Sequence, residues 1–140
     1  MNLQRAKTHT FSIAARFDQL EQLGDTVDSF LQDATNLPEP ESDRYMMKLA
    51  IHEIVTNIID HAYDACHSGD IALALTLKSR EFIAVLSDSG KQFDPQNVPE
   101  PDLENGQIRG YGLFLIEQLM TEVIYTPIPN GNQWRLIKRW

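Results

Sequence analysis

Alternation of apolar and polar positions predicts most of the strands in this chain. Residues Thr8–Ala15 alternate roughly in this way and predict a first strand. Two further strands, Ile71–Leu77 and Phe82–Leu86, are separated by so few residues that they predict an antiparallel hairpin. Two more strands are predicted near the end of the chain, at Val123–Thr126 and Gln133–Arg139.

Apolar residues at helical spacing predict two long helices between the first strand and the hairpin. Phe17–Leu37 carries an apolar stripe, and the prolines that follow, at 38 and 40, are predicted to close this helix. Ser42–Cys66 is the longest periodic segment, with one continuous apolar face. Ser42 or Asp43 is the predicted N-cap of this second helix, because both side chains can accept a hydrogen bond from a backbone N–H.

The remaining segments complete an α+β pattern. Residues 87–109 contain few core residues, three prolines and several carboxylates, which predicts a long loop. Tyr111–Met120 follows as a third helix. The element order predicts a two-layer sandwich, in which a mostly antiparallel sheet carries helices on one face and the long loop roofs a pocket between the layers. Residues 1–140 are predicted to form one domain.

Composition narrows the classes of partner. The chain has 140 residues, of which 42% are apolar and 23% are charged, as in ordinary globular proteins. Its single cysteine, Cys66, excludes an internal disulfide, and no apolar run approaches the roughly 18 residues of a membrane helix. We therefore expect a cytoplasmic protein without a membrane partner. The net charge of −8 argues against direct nucleic-acid binding, which depends on Lys and Arg.

The first candidate motif is on the second helix. At 100° per residue, Glu53, Asn57, Asp60 and Asp64 fall within a narrow arc. An amide oxygen can ligate Mg²⁺, and a carboxylate one turn away can orient or deprotonate a hydroxyl. Taken alone, the arc is a weak signal and is more typical of a solvated helix face.

The second motif follows the strand Phe82–Leu86. Asp88 can accept a hydrogen bond from an amino group such as the exocyclic amine of adenine, and Gly90 can let a base approach closely. The alternative is ordinary turn chemistry, in which the aspartate caps a turn and the glycine supplies a positive φ.

The third motif is the glycine-containing segment 106–113, directly before the third helix. Glycines there expose backbone N–H groups, and a helix N-terminus adds positive potential, so the segment can hold phosphate oxygens. A flexible hinge is the alternative.

Together the three motifs resemble those of bacterial anti-sigma-factor serine/threonine kinases, within the superfamily of gyrase, heat-shock chaperone, histidine kinase and mismatch-repair ATPases. The resemblance spans residues 40–140. It rests on the run from Glu53 to Asn57 followed by His61-Ala62-Tyr63, on Asp88-Ser89-Gly90 with Phe93-Asp94-Pro95, and on Gly110 to Ile116 continuing to Val123.

The resemblance implies a role for each motif residue, with ATP and Mg²⁺ as the cofactors. Glu53 would be the general base and Asn57 the magnesium ligand beside the nucleotide. Asp88 would bind adenine and Gly90 would shape the base pocket. The phosphates would lie on the third motif, at Gly110, Gly112 and Leu113. Arg109 joins this set from its charge and position alone.

The resemblance also implies partners. An anti-anti-sigma-type protein would be phosphorylated on serine or threonine, a sigma factor would be a second partner, and the chain would form a homodimer. The other interpretation is a nucleotide-dependent switch that sequesters a regulatory protein without phosphorylating it. A histidine kinase is disfavoured, because we find no helical segment that carries a phospho-accepting histidine.

The sequence departs from the family pattern in three places. Gln92 stands where many members of the superfamily carry a second glycine, and the lid between Asp94 and Gly106 is short and acidic. Asn132-Gln133 replaces the Gly-Thr pair that often precedes the last strand.

Overall fold

The sheet is the framework of the molecule. The computed structural model describes residues 6–32, 34, 37–63, 68–92 and 111–140. The described strands form one five-stranded sheet in the order β1-β2-β3-β5-β4, and every neighbouring pair is antiparallel. The strands are β1 (Lys7–Ala14), β2 (Asp70–Lys78), β3 (Glu81–Asp88), β4 (Glu122–Ile128) and β5 (Gly131–Arg139). The helices are α1 (Leu20–Gln32), α2 (Pro40–Asn57) and α3 (Tyr111–Leu119).

One face of the sheet is covered and the other is partly open. In β3 the residues Phe82, Ala84 and Leu86 are fully buried, whereas Ile83 and Val85, which point the other way, are only half-buried. The core on the covered face is supplied largely by α2, and α1 and α3 both pack against that helix. The predicted two-layer α+β sandwich with helices on one face is therefore confirmed.

The predicted hairpin forms, the last two strands form a second one, and all four strands are longer than the sequence indicated. β2 and β3 pair along their whole length, from Ile71 opposite Asp88 to Lys78 opposite Glu81. β4 and β5 are joined by a tight turn in which Asn130 has a φ of 62°. Asparagine is one of the few residues that adopts this left-handed conformation readily, which explains its place in the turn.

The boundary between the first two helices differs from the prediction. The segment from Phe17 begins as a 3₁₀ turn and continues as α1 only to Gln32. Pro40 does not close this helix but opens α2, because its fixed φ and missing N–H suit the first helical position. The N-cap is Glu39, so the predicted caps Ser42 and Asp43 are wrong. Asp43 nevertheless serves this end, since its Oδ2 accepts a hydrogen bond from the Glu39 N–H at 3.0 Å.

The second helix changes its geometry close to the first motif. α2 ends at Asn57, and residues Ile58–Ala62 continue it as a π-helical turn before Tyr63 becomes extended. Residues 64–66, the last three of the predicted helix, lie outside the described residues. π turns are rare and occur frequently at functional sites. No helix within the described ranges is long and apolar enough to cross a membrane.

Candidate functional site

The polar side of α2 carries the first pair of candidate residues. Glu53 and Asn57 are one turn apart and half-exposed, whereas Ile54 and Val55 between them are completely buried in the core. The buried residues fix the helix against the sheet, and this fixes the direction in which the polar pair projects. Asp60 is exposed on the π turn, and Asp64 lies outside the described residues.

Asp88 is the last residue of β3 and belongs to the face covered by the helices. Only 6% of its surface is exposed. Its Oδ1 accepts hydrogen bonds from the Gly90 N–H and from Asn132 Nδ2, both at 2.9 Å. Its Oδ2 is buried and has no hydrogen-bond partner among the described residues. One oxygen of a buried carboxylate is therefore available to a donor from outside the protein.

The environment of Asp88 suits the amino group of a bound base. Burial raises the pKa of the carboxyl group, and the hydrogen bonds from Asn132 and Gly90 lower it. A buried polar atom without a partner costs about 1–3 kcal/mol, and an incoming N–H donor would remove that cost. The exocyclic amine of adenine is such a donor, so the residues present fit the base end of ATP.

Gly90 is seated directly on the end of the π turn. A Cβ built on Gly90 would overlap the carbonyl oxygen of Ala62 and lie 2.7 Å from its carbonyl carbon. The neighbouring Lys91 N–H donates to the same carbonyl oxygen at 2.7 Å. The sequence predicted a glycine for close approach of a base. The structure shows a close approach of the protein backbone, which brings the second motif against the helix that carries the first.

Two side chains fix the loop after β3 from opposite sides. The buried Tyr63 hydroxyl donates to the Asp70 carbonyl oxygen at 3.0 Å and accepts from the Ser89 N–H at 2.9 Å. Gln92 Nε2 donates to the Ile128 carbonyl oxygen at 3.0 Å, so this departure from the family pattern ties the loop to β4. The loop is thus anchored to the sheet and to the helix layer.

The third motif is described only in part. Gly112 lies in the first turn of α3, Leu113 follows it half-buried, and α3 packs against α2. Arg109 and Gly110 lie outside the described residues, as does the lid between Asp94 and Gly106. Their predicted contacts with phosphate stay predictions.

Sequence reasoning missed Asn132 as a partner of Asp88. It is 1% exposed, and its amide also donates to the Lys91 carbonyl oxygen at 2.8 Å. The sequence showed it only as a departure from a Gly-Thr pair. The signal that would have found it is the pairing of β3 with β5, which sets Asp88 opposite Asn132.

Comparison with known proteins places this geometry in a family context. Residues 13–138 match the family model described as the histidine kinase-like ATPase domain. The serine-protein kinase RsbW of Oceanobacillus iheyensis is 33% identical over 85 residues, which cover 55% of this chain and 54% of that protein. The serine-protein kinase RsbW of Listeria monocytogenes is 35% identical over 86 residues, with the same coverage of 55% and 54%. The alignments thus span about half the length of these relatives.

A solved structure has the same fold over nearly the whole chain. The crystal structure of the RsbU and RsbW domains of Rv1364c from Mycobacterium tuberculosis superposes with a TM-score of 0.69 at 20% identity. The match covers 95% of this chain and 32% of that one.

Proposed function

The chain belongs to the histidine kinase-like ATPase domain family, and from this premise we propose that it is an ATP- and Mg²⁺-dependent serine/threonine protein kinase. We propose that residues 1–140 form a single domain of this kind. Its role would be that of a cytoplasmic anti-sigma regulatory factor. The similarity to relatives named as serine-protein kinases supports a protein substrate.

The observation that carries the proposal is the buried carboxylate of Asp88. Oδ1 is held by two donors from the protein, and Oδ2 is without a partner among the described residues. Asp88 would therefore accept a hydrogen bond from the adenine amino group. Gly90, which is anchored on Ala62, would form the adjacent wall of the base pocket.

The polar face of α2 would carry the chemistry. Asn57 would offer its amide oxygen as a ligand to Mg²⁺, and the bound ion would neutralise charge on the phosphates. Glu53, one turn earlier, would accept the proton of the attacking serine or threonine hydroxyl. A rigid helix suits this role, because catalysis of phosphoryl transfer rests mostly on positioning and electrostatics.

The phosphate end of the site would be formed at the start of α3. Gly112 and Leu113 lie in its first turn, where N–H groups without an intrahelical acceptor favour anions. Gly110 and Arg109 would extend this site before the helix.

The partners follow from the family rather than from the contacts described above. We propose that the substrate is an anti-anti-sigma-type protein, that a sigma factor is a second partner and that the chain forms a homodimer. Direct binding to nucleic acid is not expected at a net charge of −8.

The test compares phosphoryl transfer by wild type and by the Glu53→Gln variant. Each protein is incubated with labelled ATP, Mg²⁺ and the small regulatory proteins encoded beside it, and transfer is read by mass spectrometry. The variant keeps the shape of the side chain but cannot take a proton, so we expect near-normal ATP binding and transfer slowed by roughly 10²–10⁴-fold. Glu41→Gln is a matched control, since Glu41 is exposed in the first turn of the same helix.

The other outcomes are equally informative. A wild-type protein that binds ATP but transfers phosphate to no candidate partner would favour the nucleotide-dependent switch. A Glu53→Gln variant that transfers phosphate at the wild-type rate would be consistent with a kinase, but it would show that another group is the general base. Asp60 and Asp64 would then be the next residues to replace.

A further inference from the structure

We propose that Asn132 and Tyr125 are positioning residues that hold the Asp88 carboxylate for base recognition. Through Asp88 they would make the site select a purine with an amino group over one with a carbonyl group at the same position. The proposal rests on the proposed binding of ATP, and goes beyond it by naming residues that set base specificity.

The three residues lie on three consecutive strands of the sheet. Asn132 on β5 pairs with Asp88 on β3 on one side and with Pro127 on β4 on the other. Tyr125 lies two residues before Pro127 and therefore on the same face of the sheet. Its hydroxyl donates to Asn132 Oδ1, and Asn132 Nδ2 donates to Asp88 Oδ1 at 2.9 Å.

The orientation of the Asn132 amide is determined by its surroundings. Nδ2 faces the Asp88 carboxylate and the Lys91 carbonyl oxygen at 2.8 Å, and both of these groups can only accept hydrogen bonds. Oδ1 faces the Tyr125 hydroxyl, which can donate. A flipped amide would turn Oδ1 toward two groups that can only accept and would lose both of these hydrogen bonds in a buried place, so only one orientation is stable.

Tyr125 is itself held in place by an aromatic contact. Its ring lies against the buried Trp134, with ring centroids 4.8 Å apart and an interplanar angle of 51°. Trp134 thus fixes the Tyr125 ring, the Tyr125 hydroxyl fixes the Asn132 amide, and the amide fixes the carboxylate of Asp88.

The hydrogen bonds to Asp88 Oδ1 determine how Oδ2 of the same carboxylate can contact a ligand. With Asn132 and the Gly90 N–H both on Oδ1, the carboxylate cannot rotate without losing hydrogen bonds, and Oδ2 keeps one direction. Donors on Oδ1 also favour the ionised form, which can only accept. Such a group pairs with an amino group and repels a carbonyl oxygen. Without Asn132, Asp88 would be freer to reorient and would take up a proton more readily, and a protonated carboxyl group can donate to a carbonyl.

The experiment compares binding of ATP and ITP, which carry the same triphosphate but an amino and a carbonyl group, respectively, on the purine. Dissociation constants are measured by calorimetry for wild type, Asn132→Leu and Tyr125→Phe. We expect wild type to prefer ATP. Asn132→Leu should reduce the ATP-to-ITP preference by about tenfold, and Tyr125→Phe, which removes one hydroxyl, by about threefold. As pH is lowered, the ATP affinity of Asn132→Leu should begin to fall at a higher pH than that of wild type, because Asp88 has lost a donor that stabilises its charged form.

Gln133→Leu is the matched control, because it lies on the same strand, points to the other face and should leave the preference unchanged. An equal loss of affinity for ATP and ITP in Asn132→Leu would overturn the proposal and leave Asn132 as structural support. If Asn132→Leu does not fold, the preference of Tyr125→Phe decides the question. A wild-type protein that binds no adenine nucleotide refutes the proposed function as well. Wild-type selectivity that both variants retain refutes only this inference.

Discussion

Replacement of Gly90 by alanine tests the close contact between the loop after β3 and the π turn. The added Cβ would overlap the Ala62 carbonyl oxygen and lie 2.7 Å from its carbon and 2.8 Å from the Ala62 Cβ. These atoms belong to backbone and to a short side chain, so the clash is relieved only if the loop moves away. Such a movement would also stretch the hydrogen bond from the Lys91 N–H to the Ala62 carbonyl oxygen.

The expected loss of stability combines two contributions. Overpacking in a close-packed region costs about 1–3 kcal/mol. A lost backbone hydrogen bond costs about 0.5–1.5 kcal/mol. Together they predict that Gly90→Ala lowers the free energy of unfolding by about 1.5–4.5 kcal/mol, a large part of the roughly 5–15 kcal/mol of a typical domain. Urea unfolding followed by circular dichroism measures this difference.

Gly24→Ala is the matched control within α1. Its Cβ would meet only the end of the half-exposed Lys48 side chain, with Cε at 3.1 Å and Nζ at 3.6 Å. Alanine is favoured over glycine inside a helix by about 1 kcal/mol, so this variant should be unchanged or more stable. A Gly90→Ala variant as stable as Gly24→Ala would refute the contact between Gly90 and Ala62.

Three further predictions concern the site. Asp88→Asn should weaken ATP binding by about 1–3 kcal/mol in calorimetry, because an acceptor is replaced by a donor facing the adenine amino group; unchanged affinity in a folded variant would exclude the adenine contact. Without nucleotide, the raised pKa of Asp88 means that ionisation costs more in the folded than in the unfolded protein. The free energy of unfolding of wild type, relative to that of Asp88→Asn, should therefore fall as pH rises from about 4 through the raised pKa. Urea unfolding at several pH values measures this difference, and a difference that does not change with pH would contradict the reasoning. Asn57→Ala should abolish the tightening of ATP binding by Mg²⁺ without unfolding the protein, and a wild-type Mg²⁺ dependence would place the ligand elsewhere.

Much of the fold was predictable because its signals are local. Alternation gave the strands of both hairpins, and helical periodicity gave the buried face of α2. The boundary at Pro40 was not resolved, because a proline is compatible both with the end of one helix and with the first turn of the next. In the structure Pro40 opens α2, and the hydrogen bond from the Glu39 N–H to Asp43 Oδ2 closes the start of that helix.

The candidate site was predictable only as separate segments. Glu53 and Asn57 stand out because their spacing is helical, and Asp88 because it ends a strand. Asn132 is 44 positions away from Asp88 in sequence, and its contact depends on the register between β3 and β5. The register is set when the strands pair in the assembled sheet, so the contact between Asp88 and Asn132 could not be predicted from the sequence alone.

The π turn after Asn57 constrains the length of this segment as well as its composition. A π turn accommodates more residues per turn than an α-helix, so deletion of one residue between 58 and 62 could be absorbed by a return to α-helical geometry. The helix would remain intact, but a different carbonyl group would then face Lys91 and Gly90. Among relatives, alignment gaps should therefore avoid residues 58–62.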